Sequence, residues 1–206
     1  MAIDVTNLMS KLSEERGAFH SEADFQLAFA WELQRQHPGA QIRLETRPTP
    51  GQHLDALMRE DGRELAIELK YLTAAWDGAD KGEKLHLLNQ GAQDIRGYDC
   101  VKDVVRVEQF VKSHHSAMGL VVVLSNDPSY WRPVTHDRET NASQFRLREG
   151  TVLEGTRAWG ALTGDGTKKN RTEDLVLTGR YLCMWKPYSH LEGRRGEFRY
   201  LALEVS

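Results

Sequence analysis

LDALMREDGRELAIELK, residues 54–70, is the stretch whose reading decides the fold. Asp61-Gly62 separates two short runs of alternating apolar and polar residues, the strongest short-range signal for a two-residue hairpin turn. With the turn placed there, Leu54, Ala56, Met58, Leu65, Ile67 and Leu69 share one apolar face. Asp55, Leu57, Ala66, Glu68 and Lys70 share the other, and Asp55 stands directly opposite Glu68.

Like charges placed opposite one another on a sheet are destabilising, so this pair needs an offset. Lys70, two residues from Glu68, supplies part of it. A hard divalent cation would supply more, since Mg²⁺ takes oxygen ligands and is often held by one or two carboxylates plus substrate phosphates. Mg²⁺ or Mn²⁺ in that position lowers the pKa of a bound water and neutralises a leaving oxygen. Lys70, a compact charge, then stabilises the hydroxide or the charge building up on phosphorus. The bland alternative is a solvated hairpin face with a Glu68–Lys70 surface pair. Leu57 and Ala66 on the same face count against it.

Working outward, Ser21 caps a helix from Glu22 to about Gln36, with Asp24 as its capping-box partner and Phe25, Ala28, Phe29 and Leu33 at helical spacing. His37-Pro38-Gly39 stops it. A strand over 41–47 follows, then the turn-rich TRPTPGQ. Beyond the hairpin, WDGADKGEK reads as a loop and a helix begins near Leu85, with a break or bend at Gly97. Cys100, Val104, Val107 and Val111 carry its apolar stripe to about Lys112. Met118 to Leu124 is almost wholly apolar, as in a strand buried on both faces in a parallel pairing. Further strands are expected at 181–185 and 198–205, joined by the basic loop KPYSHLEGRRG.

Asp55, then Glu68-Leu69-Lys70 on the next strand, after a helix opening with Glu22 and before an α-β unit, resembles the PD-(D/E)XK nuclease superfamily. The match covers about residues 20–125. The resemblance implies a restriction-endonuclease-like α/β fold, an αβββαβ core with a mixed central sheet. Residues 126–206 would be a β-rich C-terminal extension, and the whole 1–206 chain one domain. It implies that Asp55 and Glu68 bind the metal, that Lys70 acts on the attacking water, and that Glu22 joins the site. The implied activity is metal-dependent hydrolysis of phosphodiester bonds, in DNA first. The alternatives are an RNA-directed nuclease or a catalytically silent nucleic-acid-binding module. Several branches place Gln or Tyr on the helix after the Lys strand, where Gln90, Gln93 and Tyr98 lie; of these Gln93 is the site candidate. His53-Leu54 stands where the motif's Pro would be.

Each candidate has a plainer reading. Glu22 suits a helix start through the macrodipole alone, Gln93 an amphipathic flank, and Tyr98 a packing position. Tyr130 and Trp131 could stack bases or anchor a core. Arg194 and Arg195 could contact phosphates or sit at a solvated loop tip. His114-His115 reads as a surface pair at a helix end. Lys168, Lys169 and Arg171 follow no phosphate-loop pattern.

The remaining sequence sets bounds. At 206 residues, 40% hydrophobic and 28% charged, the composition is that of a globular chain able to bury a core. The longest apolar run is far short of the ~20 residues that cross a bilayer. No signal peptide is visible, and a cytoplasmic protein is expected. Cys100 and Cys183 are too few for a disulfide framework or a four-ligand zinc site. Net charge is −3, yet residues 131–200 hold 13 Lys/Arg against 9 Asp/Glu. A basic back half behind an acidic front suits a polyanionic partner, nucleic acid with DNA foremost; a homodimer is left open.

Overall fold

The computed structural model describes residues 3–49, 51–133 and 139–206; Pro50 of TRPTPGQ lies outside them. In chain order come α1 (Val5–Glu15), α2 (Glu22–Gln36), β1 (Gln41–Thr46), β2 (Leu54–Glu60), β3 (Arg63–Leu72), β4 (Trp76–Asp80) and β5 (Glu83–Leu87). Then follow α3 (Gln93–Ser113), β6 (Ala117–Ser125), β7 (Val152–Arg157), α4 (Asp165–Lys168), β8 (Leu175–Leu182), β9 (Trp185–His190) and β10 (Glu197–Val205). The fold is mixed α/β. Its six-stranded sheet runs β1-β2-β3-β6-β10-β9. Only β3 and β6 are parallel, as the apolar run of β6 led one to expect.

From Ala56 to Glu60 the hairpin forms in the expected register; the expected Asp55–Glu68 pair lies beyond the ladder, which stops at Ala56–Ile67. Asp61 and Gly62 take positive φ of 50° and 74°, and Ala56 pairs with Ile67, Met58 with Leu65 and Glu60 with Arg63. Alternation then sends Ala56, Met58, Leu65, Ile67 and Leu69 to the face packed by α1 and α2, and Leu57 and Ala66 to the face packed by α3. Leu54 is the exception: it joins the α3 side, at the end of β2 where the ladder to β3 has stopped. Helix α2 has the expected bounds, and Ser21 accepts from the Asp24 amide. Asp24 does not complete a capping box. Its carboxylate takes both guanidinium nitrogens of Arg16, at 2.8 and 2.6 Å, and the His20 amide instead.

Three sequence expectations need correction. WDGADKGEK is not a loop: β4 and β5 pair around Lys81-Gly82, a second two-residue turn with positive φ at both positions. Polar and glycine residues in β4 hide its alternation. Helix α3 therefore begins at Gln93 rather than Leu85, and it runs through Gly97 unbroken. Gly97 answers a packing need, since a Cβ there would come within 2.4 Å of the Phe145 carbonyl oxygen. Finally, the strand expected at 181–185 is two strand ends, and KPYSH, read as part of a loop, belongs entirely to β9. The C-terminal segment thus completes the central sheet through β9 and β10, while β7 and β8 form a separate hairpin against α3. No helix among the described residues is long and apolar enough to cross a membrane.

Candidate functional site

The ladder between β2 and β3 ends at Ala56–Ile67, which leaves the next amides along that edge of β3 without strand partners. Unpaired buried amides are costly, and two carboxylates take them. Asp55 Oδ2 accepts from Leu69 N at 2.7 Å, and Glu22 Oε2 accepts from Tyr71 N at 2.9 Å. Both acids are pinned by backbone on either side of Lys70. The helix-start reading of Glu22 is thereby incomplete, because its side chain is committed to β3.

Lys70 Nζ is the hub. It lies 3.0 Å from Asp103 Oδ2, 3.9 Å from Glu22 Oε1 and 4.0 Å from Asp55 Oδ2. Asp103, on the buried side of α3, also faces Arg106 Nη1 at 3.1 Å, and that same nitrogen donates to Glu68 Oε1 at 2.7 Å. Side-chain exposure falls from 39% at Glu22 through 18% at Lys70, 9% at Asp55 and 4% at Asp103 to zero at Glu68. The cluster is a funnel with Glu22 at the mouth and Glu68 on the floor.

Its electrostatics are unbalanced. Four carboxylates face two cations, a formal charge of −2. Burial, with Asp103 and Asp55 nearby, pushes Glu68 up to about 9 against the pull of Arg106. The ion pair and the raised value are compatible. Oε1 accepts from Arg106 in either protonation state, and Oε2 is buried and has no hydrogen-bond partner among the described residues. Burial would lower Lys70, but Asp103, Glu22 and Asp55 outweigh it and hold the ammonium above its ordinary value. Lys70 is thereby held as an ammonium. Burial likewise raises Asp103.

The donor set has the chemistry of a hard-cation site: all oxygen, four carboxyl groups against two cations, and one buried oxygen unpartnered among the described residues. Among the described residues no three such side chains already form a cation cage. Lys70 and Arg106 lie between the carboxylates instead.

The structure thus brings together Asp55, Glu68, Lys70 and Glu22. It separates Gln93, which opens α3 ten residues before Asp103, roughly 15 Å along the axis. Gln93 donates to Asp127 Oδ2 at 3.1 Å. Gln90 is exposed, and Tyr98 packs between Phe145 and Trp159 with its hydroxyl on the Glu173 carbonyl. Tyr130 and Trp131 are buried in the core on the α3 side, where Trp131 meets Trp185, so their rings are core anchors. His114 stacks on Phe110, and Arg171 pairs with Asp99. Arg194 and Arg195 are exposed in the β9–β10 turn.

Asp103 and Arg106 were not foreseen. The available signal was an acid three residues after Cys100 within the apolar stripe of α3, a position where an unpaired charge is costly. No protein-family model matches the chain, and no curated protein is significantly similar to it.

Proposed function

We propose that this chain is a divalent-metal-dependent hydrolase of phosphodiester bonds in nucleic acid, with DNA as the favoured substrate. One observation carries the reading: four carboxyl groups, of Glu22, Asp55, Glu68 and Asp103, gather around the two cations Lys70 and Arg106, and Glu68 Oε2 is buried and unpartnered among the described residues. The likeness of Asp55, Glu68-Leu69-Lys70 and Glu22 to the PD-(D/E)XK pattern supports it.

Asp55 and Glu68 would hold the cation, with Glu22 at the mouth. When bound, Mg²⁺ or Mn²⁺ supplies a hydroxide near neutral pH and polarises a phosphoryl oxygen. Lys70, kept protonated by three acids, offers its ammonium to charge developing on the phosphoryl group. Asp103 positions Lys70, and Arg106 positions Glu68. Tying Asp55 and Glu22 to backbone amides limits their reorganisation, which is what preorganised sites need.

The test is incubation of the protein with plasmid, linear DNA and RNA in Mg²⁺, Mn²⁺ or EDTA, alongside melting curves with Mn²⁺ alone. Expected are cleavage that EDTA abolishes and a melting point raised by Mn²⁺. No cleavage together with no Mn²⁺-dependent shift overturns the proposal. A silent nucleic-acid-binding module is the second reading, favoured by the fact that Arg106 and Lys70 already neutralise Glu68 and Asp103. A gel shift of the same nucleic acids without any cleavage selects it.

A further inference from the structure

A second charged feature lies at the end of the sheet where β3 and β6 terminate. A cavity of about 440 Å³ opens there, lined by Arg132, Arg148, Arg194 and Arg195 together with Asp127 and Glu197. Among the described residues none of the four arginines forms an ion pair. The two acids are engaged elsewhere. Asp127 accepts from the Ser129 amide and from Gln93, and Glu197 accepts from Arg199 at 2.7 Å. Arg148 Nη1 is buried with no hydrogen-bond partner among the described residues, an expensive state for a charged donor. Burial and neighbouring Arg146 depress the Arg148 guanidinium below its ordinary value.

The walls are held in place. Asn126, the first residue after β6, accepts from the Ala74 amide and donates to the carbonyls of Ala74 and Arg195, at 3.2 and 3.0 Å. One buried side chain therefore joins the exits of β3 and β6 to the arginine-bearing β9–β10 turn. The turn that carries Arg194 and Arg195 is thereby tied to the sheet.

We infer that this cavity is a binding site for a phosphate dianion. The formal charge of its lining is +2, four guanidinium groups against two carboxylates. A phosphate monoester carries about −1.5 to −2 at pH 7 and offers three acceptor oxygens, matching both the charge and the forked donors of arginine. The dianion is either the terminal phosphate of a nucleic-acid strand or free phosphate. The site stands on its own lining and does not depend on hydrolysis at the carboxylate cluster.

The experiment is run in EDTA, so that cleavage plays no part. Melting curves are recorded with millimolar inorganic phosphate against chloride of equal ionic strength. Labelled oligonucleotides differing only in a 5′-phosphate or 5′-hydroxyl are titrated in parallel. Phosphate should raise the melting temperature of the wild type by roughly 2 °C or more. Arg148→Gln and the double variant Arg194→Gln/Arg195→Gln should each lose that rise; the second lies in an exposed turn and keeps the test valid if the first folds poorly. A 5′-phosphate preference of about tenfold that vanishes in the variants assigns the dianion to a strand end. The melting shift without that preference assigns it to free phosphate. If phosphate does no more than chloride, or if the double variant responds as the wild type does, the inference is wrong.

Discussion

Glu68 and Glu108 are both buried acids on the α3 side of the sheet, and their surroundings differ in kind. Glu108 joins α3 to β8. It accepts from the amides of Thr178 and Gly179 and from the Tyr181 hydroxyl, at 2.7 to 3.0 Å. Glu68 has one donor, Arg106, an oxygen with no partner, and two further acids pressing on it. A buried acid surrounded by donors holds structure together. A buried acid surrounded by acids costs stability unless a proton or a ligand offsets the repulsion, which makes Glu68 a candidate for the proposed site.

The largest expected effect breaks this contrast by function. Under the proposed hydrolysis, Glu68→Gln, Asp55→Asn and Lys70→Gln should each lower the cleavage rate by about 10³-fold or more, with effects that do not add because the residues act as one unit. Glu108→Ala should leave the rate per folded molecule near wild type. Single-turnover cleavage rates decide it; wild-type turnover in Lys70→Gln would remove Lys70 from the site.

Stability should show the reverse order. Glu108→Ala strips three donors in a buried corner and is expected to cost about 2–4 kcal/mol in denaturant unfolding. Glu68→Gln should cost far less in the metal-free protein near neutral pH, because Glu68 is already held uncharged there and Gln keeps that charge state and nearly the same shape. An equal loss in both variants would erase the distinction drawn here.

The pH dependence follows from the raised Glu68 value. In the folded protein the carboxyl holds its proton up to about 9, whereas unfolded it releases it near 4.5. The stability it confers is fully present below 4.5 and is lost as pH climbs to about 9. For one proton the slope is at most about 1.4 kcal/mol per pH unit. Melting temperatures of metal-free wild type should fall through that window, and Glu68→Gln should flatten the decline. A parallel decline in the variant would assign the slope to other groups.

The smallest effect tests the turn that sets the register. Gly62→Ala places a Cβ at φ 74° and should cost about 1 kcal/mol. Because nothing lies within 4 Å of that Cβ, the loss would come from backbone conformation alone. An unchanged unfolding midpoint would show that the register is set by the hydrophobic faces without help from the turn.

Short-range chemistry was enough to read the Asp61-Gly62 hairpin, helix α2 and its Ser21 cap, the parallel β6, and the common face of Asp55, Glu68 and Lys70. Each rests on residues a few positions apart, where turn geometry and side-chain period leave little choice. The β4–β5 hairpin has the same kind of turn at Lys81-Gly82, but its strands lack clear alternation, so the period was not visible. Tertiary structure alone decided the rest of the site. Asp103 and Arg106 reach Lys70 and Glu68 only because the β3–α3–β6 crossover lays the middle of α3 over β3. Asp55 and Glu22 become fixed only because β2 ends its ladder at Ala56 and leaves two amides of β3 to be satisfied. The approach of the Arg194-Arg195 turn to the ends of β3 and β6 likewise rests on Asn126, which joins Ala74 to Arg195 across segments distant in the chain. Contacts of that range depend on which surfaces the whole core brings together, and no local pattern in the sequence encodes them.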